Sequence, residues 1–273
     1  MQHRKLAFIG AGNMTRSIIA GLVASGYPAD HIMASNRSRP KLDALAAEYG
    51  IQVTQSNGDA CAFADAVVLS VKPQMMEEVC AALQQDTDLT GKLYISIAAG
   101  LPVQRLQQML GAEYPVVRVM PNTPSLLGLG MSGLYADASV SESDRKYVDA
   151  VMAAVGKTLW VTEESGINGV IAAAGSSPAY FFLFLQAMQE ESMRMGFSEE
   201  DARLLVQQAM LGAAQMVCEN PQLMLSELRA QVTSKGGTTA AAIQSFMDDN
   251  ISGMVSKAMQ AAVSRAEEMA NSL

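Results

Sequence analysis

Histidine and cysteine are scarce in this chain of 273 residues, which holds two of the former and three of the latter. With only His3 and His31 available, a zinc site built on several imidazoles is excluded, and both are read as surface residues at element edges. Cys61, Cys80 and Cys218 are widely spaced, odd in number and form no CxxC pair. No disulfide framework or metal-ligating pair is therefore expected, and the three are read as free buried thiols in a reducing, cytoplasmic setting. Positive charge is short as well. The formal net charge is -8, which argues against a nucleic-acid partner, whose electrostatic footprint is a basic patch. A secretory leader is not expected, because Met1 to Lys5 is polar and the apolar stretch after it is too short. Charge is missing altogether from Ser165 to Gln189. A membrane span needs about 20 mostly apolar residues, but Gly175, Ser176, Ser177 and Pro178 interrupt this run. The expectation is a buried loop followed by a buried helix, with no membrane partner.

About half of the residues are apolar (49%) and 17% are charged, a globular balance. The first half alternates short apolar runs with helical spacings. Strands are expected at Lys5–Ile9, Ile32–Ser35, Ala66–Val71, Leu93–Ala98 and Val116–Met120, and a last one at Lys157–Val161. Ile18, Ile19, Leu22 and Val23 share a face of a helix over Asn13–Ser25, and Leu42, Leu45 and Ala46 mark the next. Strands alternating with helices imply a mostly parallel, doubly wound sheet. After Trp160 only helix signals remain: Pro178–Met195, Glu199–Cys218, Leu223–Ala230, Ala240–Asp248 and Ile251–Ala270. The predicted architecture is α/β over residues 1–162, followed by an all-α domain over 163–273. Small residues and Met crowd the second part, as at Ala209, Met210, Ala213, Ala214 and Met216. That composition fits an ordinary bundle core or, more sharply, a dimer interface.

Phe8-Ile9-Gly10-Ala11-Gly12-Asn13-Met14-Thr15 ends the first strand and opens the first helix, the context of a dinucleotide-binding turn. Gly10 permits the tight turn, and Gly12 lets the backbone approach a pyrophosphate at the helix N-terminus. Thr15 stands where a Gly or Ala is expected. The second strand ends in Ser35-Asn36-Arg37-Ser38-Arg39. No acid is present to hold a ribose 2′-hydroxyl, and two guanidiniums are available for a 2′-phosphate. NADPH is expected over NADH, with NADH still usable. Two solvated arginines on a loop remain the alternative.

Four further segments carry a family signature. Val71-Lys72-Pro73-Gln74, Met120-Pro121-Asn122-Thr123-Pro124, Gly175-Ser176-Ser177-Pro178-Ala179-Tyr180 and Ser234-Lys235-Gly236-Gly237-Thr238-Thr239 together resemble pyrroline-5-carboxylate reductase. The resemblance runs from Phe8 to the last helix. It implies a Rossmann domain, a helical dimerisation domain, an active site between them, and dimers that assemble further, often into decamers. It also implies reduction of pyrroline-5-carboxylate to proline. Cofactor contacts carry over to Ile9, Gly10, Ala11, Gly12, Asn13 and Met14, to Ser35, Asn36 and Arg37, to Asn57, to Ser70, Val71, Lys72 and Pro73, and to Ser96, Ile97 and Ala98. Asn57 would help hold the 2′-phosphate, or cap the helix before Asp59, or both. The resemblance places Glu164 near the substrate ring and Asn122 near the nicotinamide, although each also reads as an ordinary hinge residue. Ser234, Gly237, Thr238 and Thr239 would hold the substrate carboxylate, since glycines at a helix entry expose N–H groups and the hydroxyls add donors. A plain helix turn capped by Thr238 or Thr239 is the alternative.

The chain departs from the family pattern at Lys235, where Pro is usual, and at Ser177, where many members have Gly. It departs again at Ile171, where many place a Thr able to reach the substrate nitrogen. No side-chain acid and no metal ligand are therefore assigned. Two other readings compete. A β-hydroxy-acid dehydrogenase typically uses a lysine early in its helical domain, but no lysine lies between Lys157 and Lys235. A nucleotide sensor that had lost catalysis would not need the Gly-Gly-Thr-Thr segment.

Overall fold

The structure, a computed structural model, describes residues 3–272. It opens with β1 (Leu6–Ile9), α1 (Asn13–Ala24), β2 (Ile32–Ser35), α2 (Arg39–Tyr49), β3 (Gln52–Thr54), α3 (Asn57–Phe63) and β4 (Ala66–Leu69). There follow α4 (Met76–Asp86), β5 (Leu93–Ser96), α5 (Val103–Leu110), β6 (Val116–Met120), β7 (Gly130–Ala136), α6 (Glu142–Ala153) and β8 (Gly156–Trp160). The strands form one eight-stranded sheet in the order β3-β2-β1-β4-β5-β6-β7-β8. β1 to β6 run parallel to one another, β7 returns antiparallel to β6, and β8 is parallel to β7. The order reverses between β1 and β4, which is where open α/β sheets bind ligands beyond their carboxyl ends.

Alternation along the central strands explains why these segments read as apolar throughout. Leu6 and Phe8 of β1 enter the core on one face of the sheet, and Ala7 and Ile9 enter the core on the other. β4 divides in the same way, with Ala66 and Val68 on the first face and Val67 and Leu69 on the second. Helices cover both faces, so neither set of side chains meets water. Each large side chain so buried contributes about 1.5–3 kcal/mol. Thr15 is fully buried at the strand–helix contact. Its hydroxyl donates to the Gly10 carbonyl at 2.9 Å, which makes a polar residue tolerable there.

Burial raises the thiol pKa of Cys61 and pushes that of Cys80 up to about 12. A thiol held protonated is a poor nucleophile. Neither cysteine is expected to take up iodoacetamide at pH 8 until the chain is unfolded. Mass spectrometry of the labelled protein checks this, and modification of either in the folded state would contradict it. Cys218, expected to be buried, is exposed. His3 is exposed as expected, whereas His31 is half-buried, its Nδ1 2.9 Å from the His3 carbonyl oxygen.

The chain folds as two compact units. One comprises the residues up to Pro178 together with those from Ala261 onward; the other is Ala179–Gln260. In the first unit, α7 (Gly166–Val170) runs into one π-helical turn at Ile171–Gly175. The expected loop is therefore helical. Ile167, Ile171 and Ala266 pack together there. The remaining helices are α8 (Ser177–Arg194), α9 (Glu199–Glu219), α10 (Leu225–Gln231), α11 (Thr238–Asp248) and α12 (Ile251–Ser272). The expectation of a buried helix after Pro178 is corrected, since no residue of α8 is buried. Phe181, Phe182, Leu183 and Phe184 are between 46% and 69% exposed, and Leu204, Leu211, Met247 and Val255 are similarly open. An apolar surface of that extent marks an interface. By length and composition alone, the continuous segment Gly166–Arg194 is also apolar enough to cross a membrane.

Candidate functional site

Four of the segments singled out in the sequence follow the carboxyl ends of adjacent parallel strands, β2, β1, β4 and β5. The structure thus gathers residues 9–14, 35–37, 70–73 and 96–98 on one edge of the sheet. Gly10 has φ +111°, and a Cβ there would lie 2.8 Å from the Ser70 carbonyl oxygen. The Ser70 hydroxyl donates to the carbonyls of Ile9 and Gly10 at 2.9 and 3.0 Å, and the Gly10 N–H donates to Ser35 O at 2.9 Å. The turn is braced from both neighbouring strands. Ile97 N–H in turn donates to Leu69 O.

Gly12 is the N-cap of α1. It offers no side-chain cap, the first turn carries no acid, and a Cβ at Gly12 would meet open space. By contrast α3, α6 and α9 begin with Ser56, Ser141 and Ser198, each accepting the N–H of an Asp in the first turn. The start of α1 keeps unpaired N–H groups and its positive dipole end, the requirement for an anion. A cavity of about 320 Å³ opens beside it, lined by Asn13, Met14, Arg16, Ser17, Thr123 and Leu126.

Arg37 is exposed and has no carboxylate partner among the described residues. Its one recorded contact places Nη2 3.7 Å from Met75 Sδ, and Gln55 Nε2 fixes its carbonyl at 2.9 Å. Arg39 is spoken for by Asp43 at 2.7 Å, on its own helix. One guanidinium is therefore free where two were expected. Asn57 does not cap α3; Ser56 does, its Oγ accepting Asp59 N–H at 3.0 Å. The Asn57 Oδ1 instead accepts the Ser35 hydroxyl at 2.7 Å. Its amide N–H groups have no partner among the described residues; Asn57 is half-buried, and Lys72 is exposed.

Asn122 and Glu164 lie elsewhere in the first unit, and both have structural employment. Asn122 is 8% exposed. Its Nδ2 donates to Ala174 O at 3.0 Å, in the π-helical turn, and its Oδ1 accepts Met131 N–H at 2.9 Å at the start of β7. Glu164 Oε1 accepts the Val103 N–H at 2.8 Å, capping α5 from a distance, and receives Arg118 Nη1 at 3.1 Å. Burial raises the Tyr135 pKa, and the nearby charge of Glu164 adds to the shift. Sequence reasoning missed Arg118. The signal was available, because a lone arginine interrupts the apolar run Val116–Met120. Ile171 is buried and apolar, so it offers no proton.

In the second unit, Gly237 is the N-cap of α11, without a side-chain cap and without an acid in the first turn. Gly236 has φ +74°, and Gly237 N–H donates to Ser234 O at 3.0 Å. Ser234, Thr238 and Thr239 are exposed, and none of their hydroxyls has a recorded partner. The plain capped turn is therefore not what forms; this helix also starts with donors unspent. Among the described residues no group of His, Cys, Asp and Glu could hold a metal ion.

Comparison with known proteins bears on both units. Residues 164–269 match the family described as pyrroline-5-carboxylate reductase dimerisation. Residues 5–100 match the family described as NADP oxidoreductase, coenzyme F420-dependent. The chain is 59% identical to the pyrroline-5-carboxylate reductase of Vibrio alginolyticus over 98% of both sequences. It is 49% identical to that of Haemophilus influenzae over the same shares. Among solved structures it resembles a pyrroline-5-carboxylate reductase from Coxiella burnetii, 40% identical with a TM-score of 0.92, covering 98% of this chain and 99% of that one. It also resembles the Plasmodium falciparum pyrroline carboxylate reductase with NADP bound, 27% identical with a TM-score of 0.87, covering 99% of each.

Proposed function

The chain belongs to the pyrroline-5-carboxylate reductase family, and from that premise we propose how its own residues share out the reaction. The protein is an oxidoreductase acting on a CH–NH bond. It reduces L-1-pyrroline-5-carboxylate to L-proline with a nicotinamide cofactor, the last step of proline biosynthesis. When bound, the reduced nicotinamide supplies the hydride.

Residues 1–162 hold the cofactor. The braced turn at Gly10 and the uncapped start of α1 fit a pyrophosphate, with Ile9 to Met14 around it. Arg37, free of any carboxylate, and the Asn57 amide fit a 2′-phosphate, so the cofactor is NADPH in preference to NADH. Ser35, Asn36, Ser70 to Pro73 and Ser96 to Ala98 line the same edge and orient the rest of the cofactor.

Residues 163–273 dimerise and hold the substrate, a boundary supported by the family match beginning at residue 164. The observation that carries the substrate assignment is the uncapped start of α11. Its N–H groups and the hydroxyls of Ser234, Thr238 and Thr239 hold the substrate carboxylate without any basic side chain. Within the first unit, Asn122 is assigned to the nicotinamide and Glu164 to the substrate ring. Ile171 carries no transferable proton, so the imine nitrogen enters already protonated or is protonated from solvent. Position and charge are then what the protein contributes.

Thr238→Ala with Thr239→Ala is expected to raise KM for pyrroline-5-carboxylate roughly ten- to hundredfold, the range for losing hydrogen bonds to a charged group. KM for NADPH should stay put. Steady-state kinetics with each substrate varied in turn is the measurement, and an unchanged KM for the imine would sink the assignment.

The chain forms a homo-oligomer through its helical part. We further propose a dimer that assembles into a decamer, located in the cytoplasm, with neither membrane nor nucleic acid as partner. The exposed phenylalanines and leucines of the helical unit support burial against a second copy, since they lie within the dimerisation family match over residues 164–269. The net charge of -8 is unsuited to a polyanion.

A further inference from the structure

Arg118 is the one charged side chain among the buried described residues. It stands in β6 between Val117 and Val119, which are 0% and 1% exposed. A guanidinium in such a place needs a carboxylate, since an uncompensated buried charge is strongly unfavourable. Its recorded partner is Glu164 Oε1 at 3.1 Å, in a pair whose side chains are 5% and 27% exposed. That same oxygen also accepts the first N–H of α5, from Val103, at 2.8 Å. Glu164 Oε1 is thus held by two donors from two different elements. Glu164 Oε2 has no partner among the described residues.

The pair joins segments that the chain separates widely. Arg118 lies two residues before Met120-Pro121-Asn122, whose Asn122 ties down Ala174 in the π-helical turn. Glu164 stands at the entrance to α7, with Ile167 N–H bonded to its carbonyl at 3.0 Å. One carboxylate oxygen, Glu164 Oε1, therefore ties β6 to the start of α5 and the entrance to α7, with Arg118 as its charged partner. A lysine in its place would keep the charge but lose the planar fork.

We propose that Arg118 is a positioning residue for the reduction. By holding Glu164 Oε1 against the start of α5, it leaves Oε2 as the oxygen presented to the substrate ring and fixes where that oxygen stands. The proposal rests on the reading that Glu164 borders the ring. Arg118 itself touches neither substrate nor cofactor; it acts through the carboxylate.

The test is steady-state kinetics of Arg118→Met, Arg118→Lys, Glu164→Gln and the double variant Arg118→Met with Glu164→Gln. Arg118→Met is expected to raise KM for pyrroline-5-carboxylate about tenfold, as for loss of a charged hydrogen bond. KM for NADPH should remain within about twofold, because the cofactor edge of the sheet does not use this pair. Arg118→Lys, which keeps the charge without the fork, should recover only part of the loss. The double variant should be no worse than the poorer single one, within about threefold, because both changes remove one interaction. If Arg118→Met does not fold, Arg118→Gln takes its place in the cycle. The proposal is overturned if Glu164→Gln impairs KM for the imine while Arg118→Met does not. It is overturned equally if the effects of the two changes multiply, or if KM for NADPH rises in step. A Glu164→Gln variant with an unchanged KM for the imine defeats instead the underlying placement of Glu164, and that outcome is distinct from the others.

Discussion

Replacing Arg37 with Glu is expected to raise KM for NADPH by roughly two orders of magnitude and to leave KM for NADH within a fewfold. The asymmetry follows from what the two cofactors share. On the proposed assignment both present the same pyrophosphate to the start of α1, where no side chain caps the helix. They differ only in the 2′-phosphate, for which Arg37 is the free guanidinium at the end of β2; Arg39 is engaged with Asp43. A carboxylate at position 37 removes the attraction, adds repulsion of a dianion, and supplies the acceptor to which a ribose 2′-hydroxyl donates. Kinetics with each cofactor at saturating imine separates the cases. Equal losses with both cofactors would mean that the substitution had damaged the turn rather than the selectivity, and would refute the role of Arg37.

Gly10→Ala is expected to abolish measurable nucleotide binding and to lower the stability of the fold by about 1–3 kcal/mol, the cost of one strained backbone position. At φ +111° an L side chain is disfavoured, and the new Cβ would sit 2.8 Å from a backbone oxygen, Ser70 O, that cannot rotate away. Ser70 braces the turn and cannot retreat without losing its bonds to Ile9 and Gly10. Gly12→Ala makes the comparison instructive. Its Cβ would meet nothing in the protein, so the fold should hold while the pyrophosphate is crowded. Thermal melting with and without NADPH distinguishes the two variants. A Gly10→Ala protein that melts and binds like the parent would show that the turn is softer than its contacts imply.

Much of the architecture could be read in the sequence because the central strands are buried on both faces, so unbroken apolar runs such as Ala66–Leu69 are unambiguous. β3 was missed for the opposite reason. Gln52–Thr54 is three residues at the sheet edge, with none buried, and no periodicity survives at that length. β7 was missed because Gly130, Ser132 and Gly133 make it read as a loop. Those small residues are required by packing, since a Cβ at Gly133 would meet Val170 at 2.7 Å. The tight turn at Gly10 was legible because its positive φ calls for glycine. The employment of Asn57, Asn122 and Glu164 was not, because each bonds to residues 9 to 61 positions away. Composition also made α8 apolar enough for a core, but composition does not record whether the covering surface comes from the same chain.

Glycine caps begin both of the helices assigned to anions, while serines begin α3, α6 and α9. A serine cap completes its helix at the moment of folding. At α1 and α11 no side chain does so, and on the proposed assignment the first turn of each is finished only when a phosphate or a carboxylate arrives. On that assignment the ligands are the last pieces of secondary structure to be added. A protein carrying both should melt later and exchange its first-turn amides more slowly than one carrying neither, with the cofactor tightening α1 and the imine tightening α11.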